Sequence, residues 1–394
     1  MSVKAYAVAA VLLFSACVCL AQPVLTVGDD GTLLRDGKPF RAMGINFFGA
    51  FYDAVRPGGT ATYETDFPLL VSRGVPFIRF AATPFWPAHF KLYTEDRDEY
   101  FRRFDALVKT AEDSGLGLIP SLFWNQMSIC DLVGEPYSAW GDPDSRTTAF
   151  MRRYTTEVIT RYRGSRAIWA WEFGNEFSLL PDLPNADQHR PKVNVAMGTP
   201  PQRTAADDLT GEQFVSALKR FADLARKLDP VRPIISGNAV PRPYAWHNWR
   251  EHSWTFDTAA QYGQMLARDN PDPINTLSVH IYPRQRTDYF EQTADMHEVI
   301  RESMRVARRL RKPLFVGEFG VNEQQWGDGT RKENERLFET IVEQRVPLSA
   351  YWVWRLEWQE PSFNVTAENR RSYVLDMIRA ANRRLTAADE PTAR

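Results

Sequence analysis

Cysteine is scarce in this 394-residue chain: there are three, of which Cys17 and Cys19 fall in the first apolar stretch and only Cys130 lies beyond it. The exported part of the chain therefore cannot close an internal disulfide, and its stability has to come from a buried core. An excess of one charge is missing too. Lysine plus arginine number 48 against 49 acidic residues, mixed along the whole length, so the sequence carries no electrostatic footprint for nucleic acid or an anionic membrane. A neutral partner fits better. Several catalytic signatures are also absent. With no HExxH, no CxxC pair, no two-Cys two-His spacing and no His-x-His on an early strand, a metal hydrolase has little to stand on. No Gly-x-Ser-x-Gly elbow or phosphate loop occurs, and Gly44-Ile-Asn-Phe-Phe-Gly49 reads as a strand end rather than a dinucleotide fingerprint. Neither a metal nor a cofactor is expected.

Lys4, an apolar run over 5–20 and small residues around Ala21 have the layout of a secretory signal peptide, expected over 1–21. The run is too short and too weakly flanked for a membrane span, so no integral membrane segment is expected in the exported protein, which is placed as secreted or periplasmic. A lipoprotein retaining Cys17 is the weaker alternative, because Phe14 sits poorly in a lipidation box. Asn364-Val-Thr366 is a formal glycosylation sequon, relevant only in a eukaryotic secretory route.

The remaining 22–394 is read as one domain, and its 44% hydrophobic and 13% aromatic content supplies the material for a large core. A small β-hairpin is expected over 24–34, turning at Gly28-Asp-Asp-Gly31. Strands then follow at 42–47, 76–81, 117–124, 168–173, 233–238, 276–282, 313–318 and 348–354. Helix-period segments alternate with them at 63–73, 97–114, 146–162, 211–228, 255–268, 297–310, 332–343 and 369–385. Eight strand-helix units in order argue for an α/β fold of the closed parallel (β/α)8 TIM barrel type, with long βα loops at the mouth where such barrels keep their chemistry. The longest, 177–210, is rich in Pro, Asp and Asn and lacks periodicity.

Two strands end alike. Ile168 to Phe173 runs into Gly174-Asn175-Glu176, and Pro313-Leu-Phe-Val runs into Gly317-Glu318-Phe-Gly320. Asn175-Glu176 alone reads equally well as a helix cap, but a second glutamate in the matching place suggests one cleft with two acids. A retaining glycosidase needs such a pair about 5 to 5.5 Å apart, one to protonate the leaving oxygen and one to attack the anomeric carbon. Arg79, in the apolar Pro76-Phe-Ile-Arg-Phe80, is a buried cation that needs a carboxylate; Glu318 is the expected partner, and Glu172 competes as a structural one. That guanidinium would keep Glu318 ionised as nucleophile, while apolar surroundings raise Glu176 into the acid/base role. Asn175 is placed to bond a sugar hydroxyl. His280 and Tyr282 alternate toward one face at the end of strand six, although either alone could be an ordinary core residue. Aromatics crowd the predicted rim, among them Phe85, Trp86 and Trp358, as suits the C–H faces of a sugar. Trp124, with Asn125 beside it, and the same-facing Trp352 and Trp354 are the expected substrate contacts, Trp352 as the floor of the sugar site.

Taken together, the hairpin, Gly44-Ile-Asn46, Arg79, Trp171-Glu-Phe-Gly-Asn175-Glu176, His280-Ile-Tyr282, Gly317-Glu318-Phe-Gly320 and Tyr351-Trp352 resemble glycoside hydrolase family 5 over nearly the whole exported chain. The resemblance implies the barrel, Glu176 as acid/base, Glu318 as nucleophile, and supporting roles for Arg79, Asn175, His280, Tyr282 and Trp352. Many family members carry a histidine near the end of strand three; Leu122-Phe-Trp124-Asn125 stands there and looks more like the mannanase-type branch. The expected activity is retaining hydrolysis of a β-linked glucan or mannan. A barrel that binds carbohydrate without cleaving it, and a transglycosylase using the same site, are the alternatives.

Overall fold

The computed structural model describes residues 25–284, 288–291 and 294–387. The expected signal peptide, with Cys17 and Cys19, lies outside the described residues. Eight parallel strands form a nearly closed barrel with helices between them: β4 Ala42–Asn46, β5 Phe77–Ala81, β6 Gly117–Phe123, β7 Trp171–Gly174, β8 Ile234–Ile235, β9 Leu277–Ile281, β10 Leu314–Phe319 and β11 Leu348–Tyr351. The fold is the (β/α)8 barrel expected from the alternation of elements. Buried on both faces, these strands are apolar almost throughout, which is why continuous hydrophobic runs rather than alternating ones marked them. The helices carry one buried stripe each. Arg97–Ser114, for example, starts where the Asp96 carboxylate accepts from the Glu99 N–H at 3.0 Å and stops at Gly115 in the left-handed region (φ 71°).

The hairpin β1 Leu25–Val27 and β2 Leu33–Arg35, joined by β3 Lys38–Pro39, forms a small antiparallel sheet. Leu25 and Leu33 pack with Phe77, Trp169, Phe315 and Leu348, residues at or just before the starts of barrel strands, so the sheet plugs the N-terminal end of the barrel. Chemistry is left to the other end.

Three strands differ from expectation by three residues or more, and one of them, β7, expected over 168–173, begins only at Trp171, with Ile168 joined to Leu118 by an isolated bridge. Expected over 233–238, β8 holds only two residues, because Gly237 turns away with φ 75° and packs so close to the Gly174 carbonyl that a Cβ would sit 1.8 Å from it. Between β8 and β9 the backbone ladder shrinks to one bridge, Ile235 to Thr276. Side chains fill in: Asn275 Oδ1 accepts from the Ile234 N–H at 2.8 Å and Ser278 Oγ donates to the Asn238 carbonyl at 3.1 Å, while Asn238 Nδ2 donates at 2.8 Å to the carbonyl of Asp269, at the end of the helix Ala259–Arg268. The last strand was expected to reach residue 354 and ends at Tyr351. Short helices the sequence did not announce, Gly49–Val55, Lys91–Glu95, Ser128–Val133 and Ala245–Glu251, sit in the βα loops.

Candidate active site

Strand ends deliver the polar groups of the mouth. Asn46 closes β4 and pairs in register with Arg79 of β5, Glu172 lies on β7, and Glu318 on β10 stands opposite His280 of β9. A β-bulge at Gly317 aims Glu318: Val316 faces Val279 and Glu318 faces His280, leaving Gly317 as the extra residue. Only glycine fits there without displacing the imidazole, since a Cβ would come within 2.9 Å of His280 Nε2. Glu176 follows β7 in the left-handed region (φ 55°), its N–H held by the Gly237 carbonyl at 2.9 Å. The tight corner sequence is what turns its side chain back over the barrel.

Arg79 is the hub. It is fully buried, and its fork reaches four side chains: Nε donates to Glu172 at 2.8 and 3.0 Å, Nη1 to Glu318 Oε1 at 2.8 Å and to Asn46 Oδ1 at 3.1 Å, and Nη2 to Asn175 Oδ1 at 2.8 Å. Burial alone would push the guanidinium down, and Glu172 with Glu318 more than offset it. The two carboxylates that competed for Arg79 in the sequence thus share it. Burial pushes the Glu172 carboxyl up against the pull of Arg79, and with no place on the cleft wall it acts as the inner counterion. Trp124 lies flat under the guanidinium, 4.3 Å from its carbon.

Glu318 Oε2 receives the Tyr282 hydroxyl at 2.5 Å, so both oxygens of this carboxylate are oriented by donors. Burial, then Glu318, push the Tyr282 phenol far above its ordinary value, and it stays a donor. Glu176 is held differently. Its Oε1 lies 2.9 Å from His280 Nδ1, and burial raises its carboxyl to about 7 although 29% of the side chain opens into the cleft. Burial lowers His280 to about 3, so the contact is a hydrogen bond of neutral imidazole and not an ion pair. With its proton on Nδ1 the ring donates to Glu176 and leaves Nε2, which has no partner among the described residues, as a bare acceptor rather than an orphaned donor.

One atom each of Glu176, His280 and Glu318 lie within 4.8 Å of one another, so the carboxyl groups face each other across a gap of the size a glycosidic oxygen occupies. The same trio could be read as cation ligands, but the Glu318 oxygens already face Arg79 and Tyr282 and His280 Nδ1 is spent on Glu176, so a metal would have to displace these donors. The carboxyls open into a cleft of about 490 Å³ with mostly aromatic walls. Trp124 and Trp352 stack as one wall, ring centres 5.9 Å apart, and Trp352 Nε1 donates to Gln359 at 2.7 Å.

Two expected contacts are placed elsewhere. Trp354 is fully buried in the main core rather than beside Trp352, because the strand ends at Tyr351 and the two-residue alternation does not run on. Asn125 lines only a neighbouring cavity of about 350 Å³, and its amide braces the loop by donating to the Phe85 carbonyl at 2.6 Å and accepting from the Met127 N–H at 3.2 Å. Sequence reading gave no site role to Asn46, Tyr52 or Gln359. A lone amide ending an apolar strand was a usable signal for Asn46; Tyr52 and Gln359 reach the cleft only through tertiary packing. The sequon asparagine, Asn364, is 3% exposed with both amide atoms engaged, by the Leu356 N–H and by Glu360, which leaves it closed to glycan attachment in the folded protein.

Residues 33–357 match the family described as cellulase (glycosyl hydrolase family 5). A curated relative, "Probable mannan endo-1,4-beta-mannosidase C" of Aspergillus terreus, is 25% identical over 227 residues, covering 55% of this chain and 49% of the relative, so the match spans about half of that protein's length. Among solved structures, the endo-1,4-beta-mannanase of Rhizomucor miehei superposes with a TM-score of 0.64 at 14% identity, covering 93% of this chain and 99% of that one. The endo-beta-1,4-mannanase of Thermotoga petrophila gives 0.63 at 15% identity, over 90% and 79%. These structural likenesses bear on the fold.

Proposed function

The chain belongs to glycosyl hydrolase family 5, and from that premise we propose a secreted enzyme that cleaves β-linked mannan, with β-glucan as the second polymer, by double displacement with retention of configuration. The observation that carries the proposal is the inequality of two facing glutamates. Glu318 is gripped by Arg79 and Tyr282, whereas Glu176 has no cationic partner in hydrogen-bond contact among the described residues and holds its proton up to about pH 7. Identical side chains are thereby set for opposite tasks.

In the first step a Glu318 oxygen attacks the anomeric carbon as the glycosidic C–O bond breaks, and the Glu176 proton passes to the leaving oxygen. The product is a glycosyl ester of Glu318. Water then attacks the same carbon, Glu176 takes its proton, and the ester bond opens to return the Glu318 carboxylate. Asn175 is held by its Oδ1 on Arg79, which leaves its amide N–H groups for a hydroxyl of the reacting sugar, where a hydrogen bond strengthens as positive charge builds on the ring. The Trp124–Trp352 wall gives the sugar an apolar face to lie on. The mannan preference draws on the curated relative described as a probable mannan endo-1,4-beta-mannosidase, to which the chain is similar.

The test is to follow mannan, glucan, xylan and aryl-glycoside cleavage by NMR, comparing the native enzyme with Glu318→Gln. Expected are a β-configured first product and a loss of at least about 10⁴-fold in turnover with the melting temperature kept. An α-configured product, or full activity in the variant, overturns the mechanism.

A further inference from the structure

Glu176 reaches the cleft from the left-handed backbone region, which residues with a side chain avoid, so its surroundings have to hold it there. Its own peptide groups take two bonds, from the Glu176 N–H to the Gly237 carbonyl at 2.9 Å and from the Leu179 N–H to the Glu176 carbonyl at 3.1 Å. The second is internal to the turn Phe177–Leu179 and moves with it. On either side of the glutamate, the chain is gripped by a side chain from a neighbouring loop.

Downstream the grip is Arg242, on the loop that follows β8. Nη1 donates to the carbonyls of Ser178 at 3.1 Å and Leu179 at 2.7 Å, Nη2 to the Pro181 carbonyl at 2.8 Å and to Asn248 Oδ1 at 3.2 Å, and Nε to the same Asn248 oxygen at 3.3 Å. A guanidinium has five N–H donors, so nothing of this fork is left for a ligand. Arg242 forms no ion pair among the described residues; burial lowers its guanidinium, and Asp269 and Asp182 raise it from beyond bonding reach. A cation kept in so unfavourable a place for three carbonyls of one short stretch is a clamp on that stretch. Upstream the grip is Gln126, on the loop after β6. Its Nε2 donates to the Asn175 carbonyl at 3.1 Å, and its Oε1 accepts from the buried Tyr137 hydroxyl at 2.7 Å, which fixes the amide. Burial raises the Glu176 carboxyl and Arg79 lowers it, so what Arg242 and Gln126 do for Glu176 reaches it through the chain they hold.

We propose that Arg242 and Gln126 are positioning residues for proton transfer, which act through the 175–181 backbone to keep the Glu176 carboxyl over the oxygen it protonates. The inference rests on the acid/base reading of Glu176 above. Released from either grip, the left-handed corner relaxes toward commoner backbone angles and carries the carboxyl out of its buried place. Glu318 does not follow, because Arg79 and Tyr282 hold it from other strands. Loss of a clamp therefore weakens protonation of the leaving group and spares nucleophilic attack.

The experiment compares kcat/KM of the native, Arg242→Lys and Glu176→Gln enzymes on phenyl and dinitrophenyl β-glycosides of one sugar, leaving groups of similar shape that differ in their need for a proton. Arg242→Lys is expected to lose about thirtyfold on the phenyl glycoside and no more than about threefold on the dinitrophenyl one, the imbalance of Glu176→Gln on a smaller scale. Equal falls on both substrates in Arg242→Lys, or no fall, overturn the clamp while the imbalance in Glu176→Gln keeps the acid. Equal falls in Glu176→Gln overturn the acid/base reading and this inference with it. A second readout needs no turnover: carbon NMR of the Glu176 carboxyl, its signal identified by its loss in Glu176→Gln, in the native, Arg242→Lys and Gln126→Met proteins. The groups that face it, His280, Glu318, Tyr282 and Arg79, are the same in all three. In both variants it is expected to titrate below the native value of about 7, because a loosened corner admits water. An unchanged value in a folded variant overturns the role of that residue, and should Arg242→Lys fail to fold, Gln126→Met decides alone.

Discussion

Two arginines are buried at opposite ends of the barrel, and they are used in opposite ways. Arg232, just before β8, spends its donors on the carbonyls of Ile168, Arg163 and Ser165 and on the Asp229 carboxylate, all within 2.9 Å. Every partner is a piece of chain that must be held together, so this cation is a pin closed on itself. Arg79 at the mouth touches only side chains, and two of its partners, Glu318 and Asn175, also face the cleft. The comparison teaches that a buried charge ties down loops when its partners are backbone, and sets up chemistry when its partners are side chains left with a free edge.

Putting the same substitution at both ends sharpens the contrast. Lysine keeps the charge and loses the planar fork, so Arg79→Lys cannot orient Glu172, Glu318 and Asn175 together; turnover is expected to fall about 10²-fold, read from kcat on the preferred polymer. Arg232→Lys loses bonds to loop carbonyls, and about 2 kcal/mol of unfolding free energy in urea is the expected cost, with kcat at 25 °C within about twofold of native. If Arg232→Lys slowed turnover as much as Arg79→Lys, the division between the ends would be false. A smaller effect tests what stands across from the mouth arginine. Because burial raises Glu176 to about 7, its proton is present below that pH and lost above it, so kcat/KM is expected to fall about tenfold per pH unit above 7. Glu176→Gln should remove that limb on aryl glycosides whose leaving group needs no proton; a limb that persists would assign it to another group.

Much of this arrangement could be read in advance from residues that are costly where they stand. A carboxylate between glycines at the end of an apolar run, as at Glu318, or a lone arginine inside one, as at Arg79, has to be answered by something nearby. What could not be read was how one guanidinium divides among claimants, since Glu172 and Glu318 come together only when the barrel closes. Periodicity failed where the strand stopped early: Trp354 keeps the spacing of a cleft residue and sits in the core. The short helices in the loops are too brief to show a face, so the mouth's outer wall was the least legible part.

The thin seam between β8 and β9 carries a last consequence. Elsewhere around the barrel, neighbouring strands are laced by peptide groups, which every amino acid supplies, so their cohesion is indifferent to the identity of what is written there. At this one join the side chains of Asn275 and Ser278 supply much of the lacing, and the closure of the whole ring becomes sensitive to the spelling of two letters. A designer who recombined this barrel from fragments would find most junctions forgiving and would have to keep these two residues together with the strand they meet as one unit.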